Sequence, residues 1–199
     1  MTKLLLSAIF SGLIILGTIA TFLRFLRGDK HMFRFFTILS NCFSALVSVP
    51  VLIVDVLVLS GQLEAWPERL IWLRFVSAVA VMVTMLTVVF FLAPLMGKEL
   101  LYKNDNLYMH VIGPLLAAVA FIAFEPGTLG LARSLIGMQP VLLYGLIYLC
   151  KAVFIGEERG GWPDFYGFNK GGRWPISFAA MMIASAALSL LMAWAHNLL

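Results

Sequence analysis

The stretch FRFFTILSNCFSALVSVPVLIVDVLVL, residues 33–59, decides the fold. Between Arg34 and Asp55 it carries no charge. A helix crosses bilayer hydrocarbon with about 20 mainly apolar residues. This run is longer than that, so it must tilt or extend beyond the membrane surface.

Working outward, comparable apolar runs occur at about 4–26, 68–96, 107–125, 137–155 and 174–197. With 33–59 they predict an all-α, polytopic transmembrane bundle of about six helices in a single domain, residues 1–199. The whole chain agrees, being 62% hydrophobic and 12% charged, with a mean hydropathy of +0.98. A soluble domain typically carries about 25% charged residues, so this composition could not cover a surface facing water. The first run exceeds the apolar core of a signal peptide and is read as a retained helix. Cys42 and Cys150 both lie inside apolar runs and predict free thiols. Basic residues are scattered between those runs without a continuous patch, which argues against nucleic acid.

The loops after the first, third and fifth helices hold ten Lys and Arg residues, among them Arg27, Lys30, Lys98, Lys103 and Arg173. The N-terminus and the other loops hold four: Lys3, Arg69, Arg74 and Arg133. The positive-inside rule therefore puts the first set in the cytoplasm and both termini outside.

Polar residues inside a span cost free energy and point to a packing seam or a site. On the second helix Thr37, Asn41, Ser44, Ser48 and Asp55 are spaced 4, 3, 4 and 7 apart and form one stripe. His110 lies near the start of the fourth helix, on the same face and at the same depth as Thr37, roughly 5–6 Å below the surface. The Gly- and aromatic-rich loop 156–173 emerges there too, with Trp162, Asp164 and Phe165. These residues suit acyl transfer. A threonine hydroxyl needs a base to become a nucleophile, and developing carbonyl charge needs donors, for which Asn41, Tyr144 and Tyr148 are candidates. The same placement also suits a hydrogen-bonded Thr–His pair that joins two helices, and an interfacial aromatic belt. Toward the other face, Asp55 and Arg74 are expected to form a buried ion pair, while Glu125 and Pro126 end the fourth helix. No metal-ligand or haem-ligand spacing occurs in the sequence, so no cofactor is expected.

Phe35-Phe36-Thr37-Ile38-Leu39-Ser40-Asn41 resembles the Tyr/Phe-Phe-Thr-x-Gln-Ser-Asn signature of the androgen-induced and androgen-dependent multipass membrane hydrolases and their bacterial six-helix relatives. Asn106 to His110 with Pro114, then Gln139-Pro140 with Tyr144, and Gly156 to Phe168 resemble further segments of that family, in order. Leu39 stands where the family often has Gln, which removes one side-chain hydrogen bond. The resemblance implies a threonine hydrolase of fatty acid esters of hydroxy fatty acids, with Thr37 as nucleophile and His110 as general base. It implies an integral protein of a bacterial inner membrane whose partners are membrane lipids and a long-chain acyl ester. It also implies cytosolic termini, the reverse of the charge count. The alternatives are a non-catalytic membrane protein that binds or moves a lipid-like ligand, and a small subunit whose polar stripe is a partner interface.

Overall fold

The computed structural model describes residues 1–26, 31–102 and 106–199. Arg27, Lys30 and Lys103, which enter the charge count, lie outside the described residues. Six helices carry the fold: α1 (Thr2–Phe25), α2 (Phe36–Leu59), α3 (Glu68–Met96), α4 (Tyr108–Phe124), α5 (Leu131–Ile155) and α6 (Trp174–Asn197). No strand occurs among the described residues.

The helices follow the apolar runs closely. The largest difference is α5, which starts at Leu131 rather than near 137. Its first turn carries Arg133, which interrupts the apolar run without interrupting the backbone. Five helices are long and apolar enough to cross a membrane, and α4 is shorter. Parity assigns α4 as a crossing as well. Lys3 Nζ donates to the carbonyl of Leu199 at 3.2 Å, so the chain returns to the face it left after an even number of crossings. The outer surface is apolar, with Leu46 71%, Phe90 74% and Ile183 70% exposed. Such a surface is stable against lipid and not against water. The protein is an integral membrane protein.

Prolines shape two of the helices. Pro94 and Pro114 have no N–H for the carbonyls four residues earlier, those of Phe90 and His110. Both carbonyls lie in widened π turns, Val88–Leu92 and Tyr108–Ile112. The same local defect therefore sets the course of α3 near its end and of α4 at His110.

The main core joins α1, α3, α4 and α6 around Phe75, Val79, Ala117, Phe121, Leu188 and Met192. Phe75 and Phe121 are fully buried, and their ring centroids lie 5.2 Å apart. Glycine lets α5 approach this core. A Cβ on Gly137 would lie 2.7 Å from Ser189 Oγ and 2.9 Å from the Phe75 ring. Small residues at such crossings are how membrane helices gain packing without a hydrophobic driving force.

A buried polar seam runs through the half of the bundle that holds the termini, and it extends the expected Asp55–Arg74 pair, whose charges attract each other, to a closer partner. Arg74 Nε lies 3.3 Å from Glu125 Oε1, with both side chains fully buried. Asp55 is reached by Ser7, whose hydroxyl lies 2.6 Å from Oδ2. Arg74 also donates to Ser48 Oγ at 2.6 Å and to Ser11 Oγ at 3.4 Å. Glu125 thus does more than end α4: the chain turns after it, so its side chain points back into the bundle. Local sequence marks the turn and says nothing of what the side chain meets.

Candidate active site

Thr37 is the second residue of α2, a helix with no side-chain cap at its start. Its first N–H groups need partners from elsewhere. Loop 156–173 supplies one, because the backbone N–H of Phe36 donates to Tyr166 Oη at 3.1 Å. Tyr144 on α5 donates to the carbonyl of Arg34 at 2.6 Å. Two phenols from different segments therefore fix the entry of α2, and with it Thr37.

Asp164 organises the loop. Its Oδ1 accepts from Tyr148 Oη and from the N–H of Phe168, each at 2.8 Å. Its Oδ2 accepts from the N–H of Asn169 at 2.8 Å. Tyr148 in turn accepts from the N–H of Tyr166 at 3.1 Å. The rings of Trp162, Phe165, Tyr166 and Phe168 pack over Tyr148. Burial pushes the Tyr166 phenol pKa up, which keeps it neutral. The loop is thus a folded cover that rests on the C-terminal half of α5.

Under this cover lies a cavity of about 490 Å³ lined by Thr37, Tyr144 and Tyr148, among others. Its walls are mostly apolar and come from α3, α5 and α6, including Val83, Leu92, Val141 and Leu188. Phe91 and Ile176 also line it, yet they are 54% and 69% exposed on the lipid side. The cavity is therefore bounded by residues that also face lipid. Arg173 and Ser177 add polar groups near the start of α6.

His110 is buried in the π turn of α4. Its Nδ1 lies 3.0 Å from the carbonyl of Leu100. A carbonyl can only accept, so Nδ1 carries the proton and Nε2 remains the basic nitrogen. His110 does not line the Thr37 cavity, and among the described residues no hydrogen bond joins it to Thr37. The two positions are linked through Asn41. Its amide donates to the carbonyl of Thr37 at 2.8 Å and to that of Met109, next to His110, at 3.0 Å. Both amide protons serve helix packing in this arrangement. Gly113 permits it, since a Cβ there would lie 3.0 Å from Asn41 Oδ1.

The structure thus brings together Thr37, Tyr144, Tyr148, Trp162 and Asp164 in one cover-and-cavity assembly, with Asn41 and His110 behind it. Sequence reasoning did not single out Tyr166 as the partner of Phe36, nor Arg173 as a wall residue. The aromatic density of the loop was the only signal for the first. No trio of His, Cys, Asp or Glu placed to hold a metal ion occurs among the described residues. Compared with known families, curated proteins and solved structures, the chain finds no match.

Proposed function

We propose that the protein is an integral membrane hydrolase of long-chain lipid esters, resident in a bacterial inner membrane. The observation that carries this reading is Thr37 at the polar end of an apolar cavity that adjoins lipid. A hydrophobic slot with a few polar groups at one end suits an amphiphile with one acyl chain. Arg173 in the same wall offers a cation to a substrate carboxylate, which an ester of a hydroxy fatty acid possesses. The motif resemblance supports the same residues.

In this reaction the Thr37 hydroxyl attacks the ester carbonyl, and its proton passes to His110 Nε2. The Thr37 oxygen gains the acyl group, and the departing alkoxide takes the proton back from His110. Water then cleaves the acyl-threonine by the reverse roles. Because His110 does not line the cavity, the proton crosses through an intervening water or after a rotation of the imidazole. Tyr144, Tyr148 and Tyr166 line the same cavity, with the hydroxyls of Tyr144 and Tyr148 donating to the Arg34 carbonyl and to Asp164.

A second reading, binding of a lipid-like ligand without turnover, is favoured by one observation. Thr37 and His110 are not hydrogen-bonded, and Asn41 has no amide proton left for an oxyanion. Hydrolysis of a branched fatty acid ester by the purified protein in lipid nanodiscs separates the two. Activity lost in both Thr37→Ala and His110→Ala, with each variant folded, supports the hydrolase. Ligand binding without turnover across a panel of esters selects the second reading.

A further inference from the structure

At the other end of the bundle a second cavity, about 450 Å³, is lined by Lys3, Glu64, Trp66, Glu125 and His196, among others. Beneath it sits the polar seam of Ser7, Asp55, Arg74 and Glu125. Asp55 is fully buried and Glu125 is 5% exposed, yet Glu125 Oε2 is buried without a hydrogen-bond partner, while the Trp66 indole lies beside Asp55. Unpartnered buried carboxylate oxygens are costly and point to a ligand.

Charge bookkeeping names the ligand. Two ionised carboxylates and one guanidinium leave one excess negative charge in the membrane interior. Among the described residues, no other charged or titratable group at this end forms an ion pair or hydrogen bond with Asp55 or Glu125. Lys3 reaches the carbonyl of Leu199. His196 turns its two ring nitrogens to the carbonyls of Phe121 and Gly127, at 3.0 and 3.1 Å. Glu64 is exposed and adds negative charge.

Geometry shows where a compensating proton fits. Ser7 Oγ lies 2.6 Å from Asp55 Oδ2 and 3.4 Å from Glu125 Oε1. A hydroxyl has one proton and cannot donate to both. We propose that Asp55, Ser7 and Glu125 form a binding site for one exchangeable proton, reached from water through the cavity at Glu125. Asp55 then donates to Ser7, Ser7 donates to Glu125, and Glu125 stays ionised against Arg74. Loss of the proton from Asp55 reverses the donation by Ser7, and Glu125 is the group through which the proton exchanges with the cavity. This site lies away from the Thr37 cavity and does not rest on the hydrolase reading.

Infrared spectroscopy of the wild-type protein in nanodiscs at neutral pH tests it. The expected result is a carboxylic-acid C=O band that shifts in D2O. Asp55→Asn and Glu125→Gln each remove one negative charge, so either variant leaves a neutral cluster and loses the band. No band in the wild type, or a band that survives in either folded variant, overturns the proposal. So does a wild-type band that weakens when Na+ replaces choline at fixed pH, which would assign the site to a metal cation. The wild-type measurement stands alone if the variants do not fold.

Discussion

The side-chain amide of Asn41 on α2 donates to the carbonyl of Met109 on α4 at 3.0 Å, one residue before His110. With its bond to the Thr37 carbonyl, this single side chain fixes the spacing between the two proposed reacting residues. Asn41→Leu is therefore expected to cost about 1–3 kcal/mol, the usual range for carbonyls left short of a buried partner. Hydrolysis should fall more than stability does. Thermal unfolding in detergent measured beside ester turnover checks this, and full activity in a destabilised variant would contradict it.

Asp164 collects three hydrogen bonds from Tyr148 and the loop backbone. Replacing it by Ala should free the cover while leaving the spans intact, at a cost of about 1.5–3 kcal/mol for hydrogen bonds to a charged group. Limited proteolysis within 156–173 should accelerate, and Trp162 fluorescence should move toward that of a hydrated indole. Unchanged proteolysis would show that the aromatic stack holds the loop without the carboxylate.

Ala184 lines the Thr37 cavity and is also exposed on its lipid side. Ala184→Trp should fill the apolar channel without touching Thr37. Long-chain esters should lose at least about tenfold in kcat/KM, equivalent to about 1.4 kcal/mol, while short-chain esters are spared. Equal losses for both chain lengths would mean the acyl chain lies elsewhere.

Phe75 is fully buried and packs against Phe121 and Trp72. Phe75→Ala should cost about 3–5 kcal/mol by opening a cavity at the crossing of α3 and α4. Thermal unfolding of the purified variant provides the measurement. A loss under about 1 kcal/mol would mean that Gly137 and α5 collapse into the space.

The spans were legible because lipid imposes a length and an apolarity that each run displays by itself. The depth match of Thr37 and His110 followed from helical rise and an even number of crossings. What could not be read was direction. Asn41 was a candidate oxyanion donor by its distance along α2, but the close approach at Gly113 turns its amide to two carbonyls. Arg74 was assigned to Asp55 because both lie at one depth. Its direct ion pair is with Glu125, which reaches the same depth only because the chain folds back after α4. Such choices among neighbours depend on helix rotation, and helices that are apolar nearly all round leave rotation weakly encoded.

The cavity under the loop has its polar end on the face opposite the termini, and its lipid-facing walls belong to the ends of α3 and α6 on that side. An amphiphile with its headgroup at Thr37 must come from that leaflet alone. The supply of such a molecule is then limited by that leaflet's own composition and by the slow traffic of polar heads across the bilayer. A membrane of identical overall composition but opposite asymmetry would present the protein with a different world. Sidedness of insertion, more than affinity, would decide what it encounters.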